Sequence, residues 1–212
     1  QKVPVLIITR GSENDELRKI YAALNKLIPD DPNEVMPKPS KWGPRAKRIP
    51  GIQRLQERND QGELIIDECE TTVERATKRC YTDSRQPYFR VTVTDWFGGR
   101  GHDFDCMDER ANAAGGMLVI ATSIPDAREW IQWKGRTARQ DRPGQYLVVL
   151  SEKEEPFRSV PGLGEQLKPL SPDGKIEALL TRKDEAIRES LASFEAQQAR
   201  GAWLNEVCQK YY

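Results

Sequence analysis

The sequence predicts an α/β fold, a mostly parallel sheet flanked by helices with a C-terminal helical extension. Short runs rich in Val and Ile recur at 3–9 (VPVLIIT), 117–122 (MLVIAT) and 146–151 (YLVVLS), and 89–95 (FRVTVTD) alternates as a half-buried strand does. Stretches with helical spacing lie between these runs, and strands alternating with helices are the pattern of a parallel, helix-covered sheet. Apolar residues make up 37% and charged residues 31% of 212, a balance that fits a packed core with a solvated surface rather than a disordered chain.

The first run leads through Arg10-Gly11 to Ser12-Glu13-Asn14-Asp15, which has the form of a helix N-terminal cap box. Leu17, Ile20, Tyr21, Leu24, Leu27 and Ile28 then follow at spacings of three and four, so a helix is expected to lay one face on the sheet and to stop at Pro29. Residues 29–51 are rich in Pro, Lys and Arg and read as a long surface connection, its basic part being Lys38, Lys41, Arg45, Lys47 and Arg48. These cations read as a solvated loop, with binding to nucleic acid or to an acidic partner as the alternative. Residues 52–80 have a helical texture, and Ile65 to Cys69 within them form an amphipathic segment.

A helix is expected from Pro125 to about Arg139, ahead of the strand at 146–151. The lobe is predicted to span 1–151, a linker-like stretch rich in Pro and Gly 152–174, and a helical extension 175–212, docked back on the lobe or on a partner domain.

Charge and cysteine usage narrow the function. Lys+Arg and Asp+Glu are both 33, so the chain lacks the overall basic footprint of a dedicated nucleic-acid binder. No stretch reaches the roughly 20 apolar residues of a membrane span, and the first ten residues lack the layout of a secretory signal, so the chain is expected to begin inside a larger protein. Cys69, Cys80, Cys106 and Cys208 are scattered without close pairs, which predicts free thiols, no metal site and a reducing compartment, the cytoplasm or an organelle stroma.

Two segments carry chemistry: TDWFGGRGHDF at 94–104 and QWKGRTARQDRPGQ at 132–145. Both are expected at the binding edge that an open α/β sheet forms beyond the carboxyl ends of its strands. Gly98, Gly99 and Gly101 allow close approach of a ligand to the backbone, and Asp103 is placed to accept from a ribose hydroxyl. On a helix, Arg136 and Arg139 project from one face about a turn apart, two planar donor forks suited to a phosphate tail. The plainer readings are a tight glycine turn, and arginines paired on the surface with Asp141 or Glu129. His102, the single histidine, reads as a structural or minor contact residue. Trp130 and Trp133 read as core or interface anchors rather than base-stacking platforms.

GGRGHDF resembles the fifth motif of helicase superfamily two, in particular the G-R-G-T-D of SecA-type ATPases, and QWKGRTARQDRPGQ resembles their sixth motif, Q-x-x-G-R-x-G-R-Q-x-x-x-G. GGMLVIAT at 115–122 looks like the strand between those motifs, and PVLIITRGSENDEL at 4–17 looks like the fourth motif, so order and spacing agree over about residues 3–151. The resemblance implies the second RecA-like motor lobe of an ATP-dependent translocase. In it Gly99, Arg100, Gly101 and Asp103 would border the nucleotide, with Asp103 at the ribose or its vicinity. Arg136 and Arg139 would reach the terminal phosphates, Arg139 as arginine finger, and Gln132 would link the lobes. ATP and Mg2+ are implied for the complete protein, with a first RecA-like lobe as partner and a polypeptide as the moved polymer.

Ala138 stands where the sixth motif has its second glycine, His102 where the fifth has threonine, and residues 29–88 are longer than the matching segment. The phosphate-gripping loop G-x-x-x-x-G-K-[ST] is absent, so the chain alone is expected not to hydrolyse ATP and to hold no nucleotide tightly. Two other functions fit the same residues: a lobe of an RNA or DNA helicase, and a degenerate motor lobe kept as a protein-interaction module.

Overall fold

The structure, a computed structural model, describes residues 2–10, 15–27, 51–58, 62, 64, 66–81 and 87–211. They form two compact units, one of residues 1–123 and 128–150, the other of 124–127 and 151–212. The cap box before Asp15 and the basic stretch 38–48 lie outside the described residues.

In the first unit the order is β1 (Val5–Ile8), α1 (Glu16–Leu27), β2 (Ile52–Leu55), α2 (Ile66–Thr77), β3 (Cys80–Tyr81), β4 (Pro87–Tyr88), β5 (Val91–Thr94), α3 (Trp96–Gly99), α4 (Glu109–Ala113), β6 (Met117–Ala121), α5 (Ala127–Lys134), a 3-10 turn (Arg139–Asp141) and β7 (Gly144–Val148). Five strands make one sheet in the order β2-β5-β1-β6-β7, and every ladder in it is parallel, the helix-flanked α/β arrangement that the strand and helix pattern predicts and one consistent with the RecA-like lobe that the resemblance implies. Strands β3 and β4 form a separate antiparallel pair.

The central strands β1 and β5 are apolar or Thr at every position because both of their faces are covered, as parallel sheets require. Ile7, Leu17, Ile52, Val91 and Val93 are buried together, with Ile20, Tyr21 and Leu24 of α1 packed against them. Full burial of each such side chain stabilises by about 1.5–3 kcal/mol. The stripe stops at Leu24, since Leu27 is exposed.

Two expectations need correction. Residues 52–55 are a strand rather than part of a helical stretch: Gln53 is buried, and its amide donates to the Thr72 carbonyl (2.8 Å) and the Thr92 hydroxyl (2.9 Å), which a pattern of apolar residues does not reveal. Helix α5 ends at Lys134 rather than near Arg139. Its last turns tighten, with Arg136 N–H donating to the Trp133 carbonyl and Thr137 N–H to that of Lys134 (both 3.1 Å), and Ala138 then turns left-handed at φ 54°.

In the second unit, residues 163–167 of the stretch read as a linker form a short helix, α6 (Leu163–Leu167), and α7 (Pro172–Tyr211) is one helix of 40 residues running through Gly201. Leu179 and Leu180 are buried, whereas Ile187, Leu191, Phe194, Trp203 and Leu204 are exposed. Among the described residues no helix is long and apolar enough to cross a membrane.

Candidate functional site

The sheet changes its direction of winding at β1: β2 and β5 lie on one side, β6 and β7 on the other. A ligand is expected in the crevice beyond the carboxyl ends at such a point. Here that crevice is bridged by Glu16, which accepts from the Arg10 N–H (3.1 Å) and the Thr122 hydroxyl (2.8 Å) just past the ends of β1 and β6. A carboxylate there disfavours an anion.

The two motif segments meet elsewhere. The first arm, residues 95–108, leaves the carboxyl end of β5 and runs back to α4 and the start of β6. Its departure is fixed by short-range contacts. Asp95 caps α3 by accepting from Phe97 N–H (2.9 Å), and the Thr94 hydroxyl accepts from Gly98 N–H (3.1 Å). Burial pushes the Asp95 carboxyl above its ordinary value, against the pull of the Phe97 N–H. Gly99 lies on the Trp133 indole so closely that an added Cβ would come within 2.6 Å of its Nε1.

The second arm, residues 135–143, follows α5, which carries the chain back toward the amino end of β7. Thr137 donates to the carbonyl of Met117, the first residue of β6 (2.6 Å), and Gly144, the first residue of β7, lies against Thr137 and Ala138. The arginines are therefore near the amino ends of β6 and β7, which corrects the expectation of a site at the carboxyl edge.

Three arginines of the second arm hold the first. The Arg136 guanidinium donates to the His102 carbonyl, Arg139 pairs with Asp103, and Arg142 pairs with Asp105. Arg139 also donates from Nε to the Gly135 carbonyl (2.9 Å). Arg136 is 8% exposed, and its Nε has no hydrogen-bond partner among the described residues. Burial, then the neighbouring charge of Arg139, lowers its pKa from the ordinary arginine value. Burial and the Arg136 charge likewise lower the His102 pKa, and the His102 ring meets Phe97 edge-on at 4.7 Å.

The sequence-predicted residues divide accordingly. Arg136, Arg139 and Asp103 come together. Gly101, with φ 72° and open space where a Cβ would stand, turns the chain into the contact segment. Arg100 pairs instead with Glu129 at 2.7 Å, Gln132 is half-buried on α5 apart from these contacts, and Gly98 and Gly99 admit Thr94 and Trp133 rather than a ligand. Trp130 and Trp133 are core residues, 4% and 2% exposed.

No family model matches the chain, and no curated protein matches it.

Sequence reasoning missed Asp105 and Arg142. Their signal was present as a second D/R pair at nearly the offset of the first, Asp103 to Asp105 and Arg139 to Arg142. A cleft of about 750 Å3 is lined by the 101–108 segment together with Glu70, Val73 and Glu74 of α2.

The arrangement gathers three guanidinium groups along one short acidic segment. Arg136 lies close enough to Arg139 to feel its charge, one carboxylate serves Arg139, and the buried Nε of Arg136 has no acceptor among the described residues.

Proposed function

We propose that this chain is the second motor lobe of a SecA-like ATP-dependent translocase, supplying Arg139 as arginine finger and Arg136 beside it to ATP gripped by a first lobe. The observation that supports this reading best is the pair of neighbouring guanidinium groups, Arg136 and Arg139, with Arg139 paired to the Asp103 carboxylate and itself 35% exposed. When bound, ATP supplies a terminal phosphate whose transfer spreads negative charge over its oxygens, and an arginine donating to them is worth about 10³–10⁵ in rate. The donor set fits that anion: Arg139 offers a planar fork and Arg136 a fixed neighbour held by the His102 carbonyl.

The absence of a phosphate-gripping loop from these residues assigns the β-phosphate and Mg2+ to the first lobe in this reading. The even charge balance favours a polypeptide over a nucleic acid as the moved polymer.

ATP turnover by the protein carrying both lobes, measured with unfolded polypeptide and with single-stranded RNA, tests this. Stimulation by polypeptide alone is the expected result. Stimulation by RNA, with salt-sensitive binding, transfers the lobe to the helicases, and no turnover with either leaves an interaction module.

A further inference from the structure

The three arginine contacts differ in how readily they exchange. Arg136 is buried, and the Arg142–Asp105 pair is 24% and 32% exposed, whereas Arg139–Asp103 is 35% and 65% exposed. An exposed pair is weak because water solvates both partners nearly as well as they solvate each other. Asp103 is itself 65% exposed and lines a cleft, so its carboxylate stays hydrated when Arg139 departs. Arg139 meanwhile keeps a second anchor, the Gly135 carbonyl, that does not involve the carboxylate.

Resting on the reading above, we infer that Asp103 is the internal occupant of the anion site: its carboxylate holds Arg139 until a phosphate displaces it. Asp103 and phosphate compete for one guanidinium. The outer pairs, Arg136 to the His102 carbonyl and Arg142 to Asp105, keep the segment in place while the middle one exchanges. Arg139 is thereby held within reach of the site but blocked until a stronger anion arrives. This differs from a ribose-acceptor role for Asp103, because the displaced carboxylate turns to water and not to the ligand.

The test is a titration of this chain with tripolyphosphate, which has no ribose, followed by the arginine Nε–H signals in NMR; the Arg139 signal is identified by its loss in Arg139→Ala. Asp103→Asn is expected to bind tripolyphosphate about two- to fivefold more tightly than wild type, the range that loss of an exposed competing pair allows. Asp105→Asn removes the same charge two residues away without touching Arg139, and is expected to give less than half that gain. Asp103→Asn combined with Arg139→Ala should lose the gain. Thermal unfolding of each variant verifies that the fold persists.

An equal gain from Asp105→Asn, or no gain from Asp103→Asn while Arg139→Ala still weakens binding, overturns the competition and leaves the anion site standing. Weaker ATP binding by Asp103→Asn with unchanged tripolyphosphate binding makes Asp103 a ribose acceptor and also overturns it. Tripolyphosphate affinity unaffected by Arg139→Ala removes the anion site itself.

Discussion

The two arms of the site are built by opposite means. The first, 95–108, is set by close packing and short polar contacts: the Asp95 cap, Gly98 under the Thr94 hydroxyl, Gly99 on the Trp133 ring. The second, 135–143, leaves a helix through left-handed residues, Ala138, Gln140 and Asp141, and reaches across with long charged side chains. The first arm presents fixed acceptors, a backbone carbonyl and two short carboxylates, and the second brings adaptable donors. Precision in the site thus comes from the arm that supplies the acceptors, whose own arginine, Arg100, pairs away with Glu129.

Substitutions that loosen one arm at a time break or sharpen this contrast, and thermal unfolding midpoints rank them. Gly116→Ala has the largest expected effect: its Cβ would lie 1.8 Å from the Pro143 carbonyl oxygen at a φ of 76°, so the second arm cannot close on β6 without a backbone shift. The cost is about 3 kcal/mol or more, from overpacking and left-handed strain together. Gly99→Ala, which drives a methyl into Trp133, should cost about 1–3 kcal/mol and displace the whole first arm.

Thr137→Val removes the donor to the buried Met117 carbonyl and should cost about 1–2 kcal/mol, confined to the second arm. Ala138→Gly works in the other direction. An L residue at φ 54° is strained by about 1–2 kcal/mol, and glycine relieves that at some entropic cost, for a net gain of about 0.5–1 kcal/mol, or roughly 2 °C. Destabilisation by Ala138→Gly would mean that the strain is needed to hold Arg139.

The same contrast explains what could be read from the residues in advance. Strands β1, β5, β6 and β7 were legible because an apolar run needs no partner to be recognised, and the motif spacing paired Arg136 and Arg139 with the segment around Asp103. Ala138, which stands where the resembled sixth motif has its second glycine, is left-handed. Strand β2 was hidden because its buried Gln53 is satisfied by Thr72 and Thr92, and those partners are known only once the sheet is ordered. The Arg142–Asp105 pair was hidden for a related reason: its partners are 37 residues apart, and only the turn after α5 aligns them. The placement of the arginines near the amino ends followed from where α5 stops, a boundary that Gly135 and the left-handed Ala138 decide.

The most direct measurement is nucleotide binding and turnover by the protein carrying both lobes, with Arg139 intact and as Arg139→Ala. ATP affinity should change little while turnover falls by at least about a hundredfold, the signature of a contact made in the transition state alone. Turnover at the wild-type rate in Arg139→Ala would contradict the assignment of this guanidinium to the phosphate.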